Sequence, residues 1–186
     1  MLGGYPVKIQ AFPILLSEPE AYALAEKRGN FLGRLLIKKD HINLRLMYLE
    51  SREIIFRMTY EPAPLPRLLG TKAEPKQTQR IRMLVEGTRG IPAYLGEEPQ
   101  LEEVEIHDLN MVQNTELPDE KLIQEARYLA RRMVRRQAGR TVTLEVEKMR
   151  SVYRPYYVAF YGELVEGTKV RYLPIAADKN EITRTF

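Results

Sequence analysis

Each of the two histidines in this 186-residue chain lies next to an aspartate, as Asp40-His41 and His107-Asp108. A His–Asp pair orients a general base or a metal ligand, because the carboxylate accepts the second ring N–H. A metal centre needs further donors, and none arrives at a recognisable ligand spacing. The absence of cysteine excludes thiolate catalysis, disulfides and Cys-ligated zinc or iron–sulfur groups. Ser17, Ser51 and Ser151 sit in cap or turn contexts, outside any G-x-S-x-G elbow. Glu86-Gly87-Thr88-Arg89-Gly90 lacks the G-K-[ST] ending and the following helix of a phosphate loop. The carboxylates of 97–105 do not follow the D-x-D-x-D-G spacing of a calcium loop. The expectation is a non-enzymatic protein without cofactor or metal, its two His-Asp pairs serving as polar residues of turns and strand ends.

Charge is the sharper chemical signal. Between Asp119 and Arg140 seven bases (Lys121, Arg127, Arg131, Arg132, Arg135, Arg136 and Arg140) face three acids, a surplus equal to the net charge of +4 for the whole chain. Helical spacing puts Leu122, Ala126, Leu129, Ala130, Met133 and Val134 on one face. Arg127, Arg131 and Arg135 fall opposite, flanked by Tyr128 and Arg132. Such a face is an electrostatic footprint for nucleic acid or another polyanion, with Tyr128 placed to stack. The competing reading is a solvated or internally neutralised helix. Nine acids and no Lys or Arg occupy residues 97–120, and this block is the natural internal counter-charge. A second candidate surface is the tyrosine-rich strand, where alternation groups Tyr153, Tyr157 and Tyr161 on one face and Tyr156 on the other. Tyrosine gives large contact area with a polar tip, although packing between sheet and helix uses the same property.

The elements that must hold these residues read as helices and strands. Ser17-Glu18-Pro19-Glu20 and Leu117-Pro118-Asp119-Glu120 are helix starts, and Gly139 is a stop for the second helix. Gly29 and Gly33 weaken the first helix unless another element packs close against them, which leaves open a break near Gly29-Asn30. Strands are expected at 41–49, 52–60 and 80–86, then at 141–149, 152–161 and 168–176, with Glu50-Ser51-Arg52 as a hairpin turn. Residues 61–79 carry Pro62, Pro64, Pro66 and Pro75 and read as a long loop. Pro6 and Pro13 suit an edge strand or extended arm over 5–16.

Helix followed by three strands thus occurs twice. Glu20-Ala21-Tyr22-Ala23-Leu24-Ala25 matches Glu125-Ala126-Arg127-Tyr128-Leu129-Ala130 as E-A-x-x-L-A. The predicted fold is α+β, two helix-plus-antiparallel-meander units (α-β-β-β twice) related by internal duplication. The predicted domains are an N-terminal unit 1–96, an acidic connector 97–118 and a C-terminal unit 119–186.

Residues 119–186 resemble the PepSY domain in having a helix before a meander and an ending of Ala176-Ala177-Asp178-Lys179-Asn180-Glu181-Ile182, preceded by Arg171-Tyr172-Leu173. The resemblance implies the helix-and-meander fold and a role in restraining a protease or envelope protein. That family has no catalytic motif, so no residue roles carry over.

Composition and pattern together predict an interaction module with a protein partner or a second copy of itself. Nucleic-acid binding through 119–140 is the alternative. The sequence has no apolar run of the ~20 residues that span a bilayer, and Met1–Pro6 has no basic region of a leader. The expected location is the cytoplasm, and a secreted form with its leader removed has the same sequence.

Overall fold

Residues 6–33, 42–60, 76–135, 142–162 and 170–179 are described by a computed structural model. They form β1 (Val7–Ala11), α1 (Glu18–Gly33), β2 (Ile42–Tyr60), β3 (Gln77–Glu86), β4 (Pro92–Leu95), β5 (Glu102–Ile106), a 3-10 turn (Leu109–Met111), β6 (Val112–Gln113), α2 (Asp119–Val134), β7 (Val142–Tyr161) and β8 (Arg171–Ala176). Hydrogen bonding orders the strands β4-β3-β2-β7-β1-β5, with β6 on β2 and β8 on β7. The sheet is mixed: β1 runs parallel to β7 at Ala11 and Tyr153, and β6 parallel to β2, whereas β3, β4, β5 and β8 pair antiparallel.

The α+β class holds, but the expected pair of α-β-β-β units is overturned. Its two central hairpins do not exist. Residues 42–60 are one strand of 19 residues and 142–161 one strand of 20. Glu50-Ser51-Arg52 reads as a turn by polarity, yet Glu50 and Ser51 are buried and Ser51 pairs with Glu86 on β3. A two-residue hairpin needs residues that take positive φ, typically Asn-Gly, and neither Glu-Ser nor Arg-Ser supplies one. The meander expected after α2 is therefore two strands, β7 and β8, among the described residues.

Further expectations change. β1 is no free edge, since it pairs with β5 along its length and with β7 at Ala11. α1 runs unbroken to Gly33, past Gly29-Asn30. The expected loop 61–79 is too long at its end, since Gln77–Gln79 belong to β3; its residues 61–75 and the approach to Gly139 lie outside the described residues.

The chain divides into two units interleaved in sequence. The first holds Met1–Glu50, Gln100–Gln113 and Val152–Glu181; the second holds Ser51–Pro99, Asn114–Ser151 and Ile182–Phe186. β2 and β7 each give one part to either unit. In the second unit, Leu122, Ala126, Leu129, Ala130 and Val134 of α2 bury against Ile54, Phe56, Met58 and Tyr60 of β2, Ile81, Met83 and Val85 of β3, and Leu144 of β7. The period of 3.6 on α2 meets the period of 2 on the strands. Each such large side chain contributes about 1.5–3 kcal/mol.

In the first unit, Leu16, Ala21 and Ala25 pack on Ala159 and Tyr161 of β7, and on Ile175 and Ala177 at and beyond the end of β8. The small alanines of α1 let the strand tyrosines approach, and the Tyr161 hydroxyl donates to the Ala25 carbonyl at 2.8 Å. At the start of α1 the Glu20 carboxylate accepts from the Ser17 amide at 2.9 Å and from its hydroxyl at 2.8 Å, the carboxylate half of a capping box. A smaller cluster joins Ile9, Ala11, Tyr48 and Ile106.

Candidate interaction surfaces

With its apolar stripe buried, α2 presents the acids Asp119 and Glu120 in its first turn and then Lys121, Gln124, Tyr128, Arg131 and Arg132 to solvent, followed by the exposed Arg135 at its C-cap. Tyr128 is 67% exposed. Arg127 is not part of this face: it is half-buried at the flank of the helix, its guanidinium carbon 5.9 Å from the Phe56 ring centroid. Arg136 lies outside the described residues.

Five acids of the 97–120 block have partners away from this face. Glu98 lies 3.6 Å from Arg82 and 3.7 Å from Arg150. Glu103 and Glu105 pair with Lys8 at 2.6 and 3.8 Å, and Asp119 with Arg52 at 3.0 Å. Asp108 accepts from the Asn110 amide and caps the 3-10 turn. Among the described residues no carboxylate forms an ion pair with Arg131, Arg132 or Arg135. Three guanidinium groups, always charged and forked for oxyanions, therefore stand around an exposed phenol.

The tyrosine strand packs inward instead. Tyr153 lies against the Ile9–Tyr48 cluster. Tyr157 and Tyr161 lie under α1, and Tyr161 is 9% exposed. Burial holds the Tyr157 phenol above the usual pKa, with the Glu18 charge adding to it. Tyr157 and Tyr161 share one cluster and Tyr153 belongs to another, and alternation could not say which elements would cover them.

Several other charged groups are paired within their own unit. Glu53, 1% exposed, is held by Arg82 at 2.9 Å and by Arg150. Arg154 and Asp178 form a buried two-pronged pair at 2.8 and 2.9 Å. Hydrogen bonds from Arg80 hold the Glu147 carboxyl below the usual carboxylate range, and the Arg80 and Arg57 charges add to this. In the 86–90 turn the Glu86 carboxylate accepts from the amides of Thr88 and Arg89, both at 2.8 Å. The position a phosphate would take in such a loop is filled by the chain's own anion. His107 is exposed, and His41 lies outside the described residues.

Sequence reasoning missed one surface. In the first unit Phe160 of β7 and Tyr172 of β8 are cross-strand partners with ring centroids 6.4 Å apart. The Arg45 guanidinium carbon lies 5.8 Å from the Phe160 centroid. The available signal was Phe160 itself, set by alternation on the face opposite Tyr157 and Tyr161.

Comparison with family models, with curated proteins and with solved structures gives no match for this chain.

Proposed function

We propose that the protein is a non-enzymatic binding module that holds a polyanion on the exposed basic face of α2. One observation carries the reading: Arg131, Arg132 and Arg135 are exposed beside Tyr128 and form no ion pair among the described residues, while Glu98, Glu103, Glu105, Asp108 and Asp119 are engaged by other partners. A face that only kept α2 soluble would gain from interspersed acids. Glu–Arg pairs one turn apart stabilise a helix by ~0.2–0.5 kcal/mol each, and like charges at that spacing oppose it by similar amounts. Arg131 and Arg135 are one turn apart, so the chain carries this repulsion where an anion would relieve it.

The test is binding of labelled inorganic polyphosphate at increasing salt. Neutralising about three anionic groups predicts an affinity falling roughly tenfold or more between 50 and 200 mM salt. Arg131→Glu with Arg135→Glu abolishes the binding and leaves the helical circular dichroism unchanged, since both side chains are outside the core. Binding insensitive to salt, or retained by the double variant, defeats the reading.

A further inference from the structure

In the first unit α1 covers one face of the strands, that of Tyr157, Ala159 and Tyr161 on β7, Leu173 and Ile175 on β8, and Ile42 and Leu44 on β2. Strand alternation turns Tyr156, Val158 and Phe160, Tyr172 and Pro174, and Asn43 and Arg45 to the opposite face. There the Phe160–Tyr172 pair is tilted by 44°, and Tyr172 is 64% exposed. Arg45 is exposed over the Phe160 ring. None of the seven residues just named is acidic. These seven side chains therefore offer an exposed phenol ring beside a half-buried phenyl ring and a cation, with no carboxylate among them.

We propose that this sheet face, where Tyr172, Pro174, Asn43 and Arg45 are exposed, binds the bases of a single-stranded nucleic acid. Tyr172 is the stacking surface, Phe160 braces it from the neighbouring strand, and Arg45, over the Phe160 ring, meets the backbone phosphate. The choice of ligand follows from the groups present. Aromatic rings on adjacent strands accept stacked bases of any sequence, and an arginine beside them supplies both cation–π and phosphate contact. Paired bases have their faces already stacked, so a duplex cannot use the platform. The proposal rests on the polyanion reading for its ligand class and names that ligand, but its residues are distinct from those of α2.

The experiment measures anisotropy of a labelled single strand of about 16 nucleotides, a duplex of the same length and labelled polyphosphate, with the full chain at low salt. The single strand is expected to bind more tightly than the duplex. Tyr172→Ala should weaken single-strand binding about 5- to 150-fold, the effect of losing one stacked base. It should leave polyphosphate binding unchanged, and Tyr172→Phe should restore the affinity. Arg45→Glu provides an independent variant on the same face, expected to weaken the single strand selectively. If Tyr172→Ala and Arg45→Glu both leave the single-strand affinity intact, or if the wild type does not prefer the single strand over the duplex, the sheet-face proposal is overturned while the α2 reading stands. If Arg131→Glu with Arg135→Glu leaves polyphosphate and single-strand binding unchanged but Tyr172→Ala reduces the latter, the α2 reading falls and the sheet face remains. No binding to any probe overturns both.

Discussion

Arg154 and Asp178 illustrate how a charged pair is tolerated inside a small core. The Arg154 side chain is 7% exposed and that of Asp178 is fully buried. Two parallel hydrogen bonds satisfy both carboxylate oxygens, the geometry in which Arg–carboxylate pairs are strongest. Arg154 also lies 5.3 Å from the Tyr156 ring centroid. Taking two ions out of water costs several kcal/mol each, so the intact pair is near neutral for stability, whereas a single survivor is not. Asp178→Ala is therefore expected to destabilise the protein by about 3–5 kcal/mol. Arg154→Met with Asp178→Leu is expected to be less harmful than the single change. Urea unfolding of the two variants checks this, and a larger loss in the double than in the single variant contradicts it.

At the scale of elements, the turn between β3 and β4 shows what a local rule can and cannot say. Gly90 has φ +68°, and its amide donates to the Glu86 carbonyl at 2.9 Å. A Cβ there would meet Leu117 Cδ1 at 3.0 Å. The carbonyl of Gly87 accepts from the amides of Glu116 and Leu117 at 3.1 and 3.2 Å, which fixes the entry to α2 against the turn. Gly90→Ala combines positive φ with crowding and is expected to cost more than about 1 kcal/mol, lowering the thermal midpoint. An unchanged midpoint rules this out. The existence of α1, α2 and most strand segments was readable, because apolar periods of 3.6 and 2 are local properties. The exposed basic face was readable for the same reason, except at Arg127, which sits at its boundary where a wheel does not decide burial. The continuity of β2 through Glu50-Ser51-Arg52 was not readable from polarity. Glu50 and Ser51 are buried, and Ser51 and Arg52 pair with Glu86 and Val85 of β3, contacts that are remote in sequence. The covering of Tyr157 and Tyr161 by α1 is likewise a tertiary fact, joining residues more than a hundred positions apart.

For the whole chain the consequence lies in connectivity. α1, from the first half of the sequence, buries Ala21 and Ala25 on Ala159, Tyr161, Ile175 and Ala177 from the second. α2, from the second half, buries Leu122, Ala126, Leu129 and Val134 on Phe56, Met58, Met83 and Val85 from the first. The third cluster joins Ile9, Ala11 and Tyr48 to Ile106, with Val104 and Tyr153 against it. A break after Glu97 therefore divides every one of these cores. Each half would keep its helix and strands but expose the apolar faces that the other half covers. Below ~60–100 residues a fragment already has little surplus of buried surface over conformational entropy. Fragments 1–97 and 98–186 are expected to lack native tertiary structure alone, with poorly dispersed amide resonances. Mixed in equal amounts they are expected to recover native dispersion and a cooperative unfolding transition, because the missing faces are complementary and the break falls in an exposed segment outside any helix or strand. The lost chain connection makes the complex concentration-dependent, so its midpoint should rise with fragment concentration. Two fragments that each fold independently, with dispersed spectra and no change on mixing, would show that the interleaved cores are not what holds the protein together.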